Sequence, residues 1–224
     1  MSVFEPKLAI LPPPQLRLWP ELASTPGQFT LYGGTALALR LAHRASMDFD
    51  FFSNSAFDPD RLAAGVPYLR GAERVQVDAN TLTCRLDRGG SVLVSFFGGL
   101  NLGQVAPADQ AAGPGIAVAS LRDIAGAKAA VIQKRAEAKD YIDLDALLRN
   151  GVDLPTALAA GRVLYGRGFN PLITLKALSY FEDVSGLSAE VKQRLAAAVA
   201  TVDPARLPSL TACAPRRADN GHSP

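Results

Sequence analysis

Polar and apolar residues alternate most regularly in two stretches of the chain. In residues 47–52 an extended segment would place Asp48 and Asp50 on one face and Met47, Phe49 and Phe51 on the opposite, apolar one. In residues 73–97 the runs TLTCRLD and SVLVSFF are separated by Arg88-Gly89-Gly90, a spacing that predicts a β-hairpin. Elsewhere the period is helical. Leu37, Ala38 and Leu41 share one side of a helix expected over 35–43, which would bury that side against a sheet. Asp58-Pro59-Asp60 opens a helix through about residue 68, and Ser120 with Asp123 forms a start similar to a capping box for a helix through residue 135. A further helix begins near 138 and stops at Asn150-Gly151. Pro155 and Pro171 stand in the first turns of two more, and 188–201 reads as a last amphipathic helix. The three prolines at 12–14 read as an extended lead-in to a short helix or turn around 16–22, anchored by Trp19.

These elements predict an α+β fold: a mixed β-sheet unit over 1–118, then a helical half over 119–201 packed on it. From residue 202 the composition turns to Pro, Ala, Arg, Asn and Gly, so 202–224 is expected to be a disordered tail. The 224 residues are enough for one good core or two small ones, and 48% hydrophobic with 20% charged residues is ordinary globular composition. A net charge of +2 permits RNA binding without implying it, although Arg40, His43, Arg44, Lys134, Arg135 and Lys139 could cluster. Cys84 and Cys213 lack metal-ligand spacing and a small secreted framework, which suggests reduced thiols in a cytoplasmic protein. The first residues lack the build of a signal peptide, and no apolar run reaches the ~18 residues of a membrane span.

The chemistry concentrates in residues 31–53. Two carboxylates on one strand face can hold a divalent ion, and an ion there would fix a triphosphate and offset charge on its oxygens. Gly33 and Gly34 lack Cβ atoms, so their backbone can approach a phosphate, and a helix starting near Thr35 would offer free N–H groups. Taken singly, a Gly-Gly turn and an Asp-x-Asp strand each have plain structural readings. Together, and beside Phe49, Phe51 and Phe52, they point to a site, because carboxylates next to a buried strand are costly without a metal or a cation.

The segment GGTALALRLAHRASMDFDFFS resembles the signature of the AbiEii/AbiGii toxin family of nucleotidyltransferases, a branch of the polymerase-β-like superfamily. Gly33, Gly34, Thr35, Arg44, Ser46, Asp48 and Asp50 fall on the family's motif positions. SLRDIAGAKAAVIQKRAEAKDYIDLDALL (120–148) is similar to its later Lys and Lys-Asp-x-x-Asp-Leu motifs, and NPLITLKALSYFEDV (170–184) to a helix near the end of many relatives. The resemblance implies a polymerase-β-like core that uses Mg²⁺, or Mn²⁺, and a nucleoside triphosphate to transfer a nucleotide to a hydroxyl. It also implies a bacterial toxin or phage-defence protein, with tRNA or other RNA as acceptor and a cognate antitoxin as partner. Lys128 would contact the triphosphate, and Asp140 would hold Lys128 or the nucleotide site in place. Asp143 would brace the helix.

Four side chains keep alternative readings. Without the resemblance, Lys128 is a surface lysine and Asp140 and Asp143 are solvated charges. Arg44 could pair with Asp48 and Asp50, reach a phosphate, or form a simple salt bridge. His43 is left out of the site, and Tyr141 and Phe181 are read as core. The wider superfamily carries a third carboxylate on a neighbouring strand, and the matching stretch here is Val92-Leu93-Val94-Ser95-Phe96. Ser95 cannot serve as a comparable metal ligand or base, which leaves Asp78, Asp87 or water to take the hydroxyl proton. It also motivates a rival reading, a catalytically weakened nucleotide-binding or partner-binding module of the same fold.

Overall fold

The computed structural model describes residues 2–213. Its central feature follows from period-two alternation: strand β5 (Thr81–Asp87) pairs antiparallel with β6 (Ser91–Phe97), setting Leu82, Cys84 and Leu86 opposite Phe96, Val94 and Val92. All six are buried. The Arg88-Gly89-Gly90 turn is closed by Asp87, whose Oδ1 accepts from the Gly90 N–H at 2.9 Å. Strand β3 (Asp48–Phe52) lies parallel to β6 with Phe49 beside Val94 and Phe51 beside Phe96, and the Phe51 and Phe96 rings stack at 5.3 Å. Burying each such ring stabilises the fold by roughly 1.5–3 kcal/mol, so the apolar face of β3 is fixed toward the core and its Asp face toward the opposite side.

The remaining strands are β1 (Val3–Phe4), β2 (Thr30–Tyr32), β4 (Glu73–Asp78), β7 (Asp109–Ala111) and β8 (Ala117–Val118). They complete an eight-stranded mixed sheet in the order β1-β7-β8-β2-β3-β6-β5-β4. Helices α1 (Pro13–Leu18), α2 (Gly33–Leu41) and α3 (Pro59–Gly65) belong to the first half. Helices α4 (Leu121–Val131), α5 (Ala138–Arg149), α6 (Leu154–Tyr165), α7 (Pro171–Ala177) and α8 (Ala189–Ala200) form the second. The caps follow the sequence signals: Asp58, Ser120, Asp153, Asn170 and Ser188 each accept a first-turn N–H with the side chain. One hydrophobic cluster runs from the sheet through α2, α4, α5 and α6. Among the described residues no helix is long and apolar enough to cross a membrane.

Several expectations are corrected. Pro13 and Pro14 are the first two residues of α1, because a missing N–H costs nothing in a first turn; only Pro12 is extended. Met47 does not join Phe49 and Phe51 in the core; it precedes the strand and is 56% exposed. Helix α2 starts two residues before Thr35 and stops at Ala42, whose φ of 53° ends it. Helix α4 stops at Val131, not near 135, so residues 132–137 form a loop. Of the segment read as a disordered tail, residues 202–213 carry a 3-10 turn at Pro204–Arg206, and the Cys213 N–H donates to Gln104 O at 2.8 Å. Its remainder lies outside the described residues.

Candidate active site

The polar face of β3 meets the start of α2, and the contact explains both glycines. Gly33 has a φ of +75°, and a Cβ there would lie 2.9 Å from Asp50 Oδ2. A Cβ on Gly34 would lie 2.7 Å from Ser46 Oγ and 2.8 Å from an Arg44 nitrogen. Any side chain at either position would displace the carboxylate or the 44–46 loop. Tyr32, the N-cap, provides no side-chain acceptor, so the first N–H groups of α2 stay uncapped beside the carboxylates. Thr35 is buried, and its hydroxyl donates to the Asp48 backbone carbonyl. That bond ties β3 to α2 and leaves the hydroxyl unavailable to a phosphate.

Asp48 and Asp50 line a pocket of about 480 Å³ together with Gly33, Gly34, Arg44, Ser46 and Lys128. Tyr32 and Phe52, stacked at 5.0 Å, and Phe97, edge-on to Phe52 at 5.6 Å, give it an aromatic wall. Burial and the neighbouring Asp48 charge push the Asp50 carboxyl up to about 6, with Lys128, Lys139 and Arg135 only partly offsetting them. No side-chain hydrogen bond or ion pair engages Asp48 or Asp50 among the described residues. Two crowded carboxylates without a cationic partner are the donor set a divalent ion fits. Among the described residues no group of three or more His, Cys, Asp or Glu side chains could hold a metal ion, so the pair offers two carboxylate ligands and no third.

The cations beside the pair are held from below by α5. Asp140 and Asp143, three residues apart, are both fully buried. Lys128 lies between them, 2.9 Å from Asp140 Oδ1 and 2.5 Å from Asp143 Oδ2. Arg44 grips Asp143 through both oxygens, at 2.6 and 2.7 Å, and His43 Nε2 contacts Oδ1 at 2.7 Å. Arg135 bonds Asp140 at 2.7 Å. Burial alone would raise the Asp143 carboxyl, but hydrogen bonds from His43 and Arg44 and the Lys128 charge outweigh it and hold it well below the carboxylate range. The same contest, decided by Arg135 and Lys128, lowers Asp140.

The structure chooses among the alternatives for Lys128 and Arg44 and enlarges the reading of Asp143. Lys128 is buried in an ion pair, not a surface lysine. Arg44 pairs with Asp143, and not with the β3 carboxylates. Asp143 does more than brace its helix, because it joins His43, which sequence reasoning left out, to Arg44 and Lys128. The register puts Ser95 directly beside Asp50, buried and accepting a hydrogen bond from Thr83 at 3.2 Å. Asp78 is bonded by Gln76, and Asp87 closes the hairpin turn; neither lines the pocket. Phe52 on the Asp face was available from the alternation. Its stack on Tyr32 was not.

Comparison with known proteins gives the family and the fold. Residues 21–213 match the family model described as nucleotidyl transferase AbiEii toxin, type IV TA system. An uncharacterized protein of Aquifex aeolicus is 34% identical over 158 residues, covering 69% of this chain and 74% of its own length. The fold is similar to that of MenT4, a nucleotidyltransferase toxin from Mycobacterium tuberculosis, with a TM-score of 0.58 at 16% identity over 86% of this chain and 87% of that one. It is also similar to a putative nucleotidyltransferase from H. pylori, with a TM-score of 0.53 at 15% identity over 84% and 90%. A match spanning nearly the whole described chain, on top of a two-carboxylate pocket at a glycine-started helix, places the chain in the AbiEii family of nucleotidyltransferase toxins.

Proposed function

We propose that this pocket performs metal-dependent transfer of a nucleotide from a nucleoside triphosphate to a hydroxyl, releasing pyrophosphate, with tRNA or another RNA as acceptor. The observation that carries the reading is the pair Asp48 and Asp50, without a side-chain hydrogen bond or ion pair among the described residues, facing the uncapped start of α2. Mg²⁺, or Mn²⁺, held by these two carboxylates would neutralise charge on the phosphate oxygens and favour ionisation of the attacking hydroxyl. The Gly33 and Gly34 backbone receives phosphate oxygens, and Lys128 adds positive charge from α4. Asp140 and Asp143 keep Lys128 and Arg44 in place. The aromatic wall of Tyr32, Phe52 and Phe97 excludes water along one side of the nucleotide. With Ser95 beside Asp50, the hydroxyl proton passes to solvent. In the cell the activity is that of a toxin, restrained by a cognate antitoxin.

Ser95 also favours a second reading, a nucleotide-binding or partner-binding module of the same fold with weakened catalysis. Incubation of the protein with each labelled triphosphate, Mg²⁺ and total bacterial RNA separates the two. Label entering RNA, and lost on chelation of the metal, supports the transferase; triphosphate binding with no label transferred for any base supports the module.

A further inference from the structure

A polynucleotide whose 3′ hydroxyl reaches this pocket must leave it across the protein surface, and a second groove lies beside the pocket with Arg135 in the lining of both. It has a volume of about 340 Å³ and lies between the 132–136 loop and α7 with its following turn. Arg135 lines both cavities, so they adjoin at that side chain. The loop is rigidly placed: the Gln133 side-chain amide donates to Asn170 O at 2.9 Å and to Thr174 Oγ1 at 2.8 Å, and Thr174 donates to Ala129 O at 2.8 Å. These bonds join the loop that follows α4 to the start of α7.

The groove joins exposed apolar surface to free positive charge. Ile173 is 47% and Tyr180 52% exposed, and the Tyr180 hydroxyl donates to Glu182, which tethers the ring. Lys134 and Lys176 are exposed lining residues with no ion pair among the described residues, against one lining carboxylate, Asp183. Ile173 and Tyr180 together offer apolar surface in the groove that a ligand can cover. An aromatic ring between unpaired cations suits a single strand, whose base stacks on the ring while its phosphates meet the lysines. We infer that this groove binds the single-stranded RNA segment leading to the reacting hydroxyl, an inference that rests on the transferase reading above. Tyr180 is its stacking platform, Lys134 and Lys176 are its phosphate contacts, and Arg135 marks the junction with the nucleotide pocket.

The test is fluorescence anisotropy with a labelled single-stranded RNA of about a dozen nucleotides, on the full chain without triphosphate. Lys134→Ala/Lys176→Ala should weaken binding and reduce the slope of log K against log salt by about 1.4, the loss of two single-strand phosphate contacts. Tyr180→Ala should weaken it by between about fivefold and a hundredfold, and Tyr180→Phe should retain it. Mg²⁺–triphosphate binding, read by calorimetry on the same proteins, should be unchanged, because none of the three residues lines the nucleotide pocket. Equal RNA affinity in wild type and variants, or an unchanged salt slope, overturns the groove assignment and leaves the transferase reading standing. Tighter binding of the matching DNA strand overturns the choice of RNA. Absence of Mg²⁺–triphosphate binding in the wild type would instead remove the transferase reading, and the inference with it.

Discussion

Asp50 is the residue at which the site's chemistry opposes the fold's stability. Its carboxyl ionises near 6 in the folded chain against 3.8 ordinarily, so the folded state binds the extra proton. The sign follows: stability falls as pH rises from about 4 through about 6, and above that the ionised group costs roughly 3 kcal/mol. Asp50→Asn should therefore raise the melting temperature at pH 8 by up to roughly 10 °C, with the gain disappearing near pH 3. Mg²⁺ should stabilise the wild type at pH 8 and the variant much less. A melting curve for Asp50→Asn that is no higher than wild type at pH 8 would show that the carboxylate is already compensated. Asp143 has the opposite sign. Its lowered carboxyl contributes stability above the ordinary carboxylate range, which is lost as pH falls. Asp143→Ala strands Lys128, Arg44 and His43 around an empty position and should cost about 3–5 kcal/mol in chemical denaturation.

At the level of elements, β3 was legible because alternation with Phe49 and Phe51 leaves one face for Asp48 and Asp50. The β5–β6 hairpin was legible because two matched runs flank a Gly-Gly turn. The ionic cluster was not legible, since Arg44 and His43 meet Asp143 across 99 and 100 residues and local period carries no trace of a pairing that distant. The end of α4 was missed for a related reason: the loop after it is bonded through Gln133 to Asn170 and Thr174, partners 37 and 41 residues away. Thr35 matched a motif position, yet its role in joining α2 to β3 emerges only when both elements are placed. The parallel register of β3 and β6 yields its own prediction. Ser95→Asp sets a third carboxylate beside Asp50, so it should lower the melting temperature in chelator and restore it in Mg²⁺, with tighter metal binding by calorimetry. Equal destabilisation with and without metal would mean that residue 95 does not face the ion.

Across the whole molecule, the sheet supplies the carboxylates, α2 its uncapped amides, and α4 with α5 the anchored cations, all on one continuous core. The mixed sheet followed by helices could be read from the order of the elements. The second groove could not, because it depends on how α7 lies against the 132–136 loop. Lys128 ties these parts together, and its replacement by Ala should cut triphosphate affinity roughly ten- to a hundredfold while leaving two carboxylates short of a cation. The account as a whole rests on Asp48 and Asp50 acting together through a metal ion. It is tested most directly by the rate of labelled nucleotide transfer to RNA in Mg²⁺, measured side by side for wild type and Asp48→Ala at matched folded concentration. The predicted result is a loss of at least about a hundredfold, with the melting transition retained. Transfer by Asp48→Ala at the wild-type rate would contradict the account, because the chemistry would then lie elsewhere on the protein.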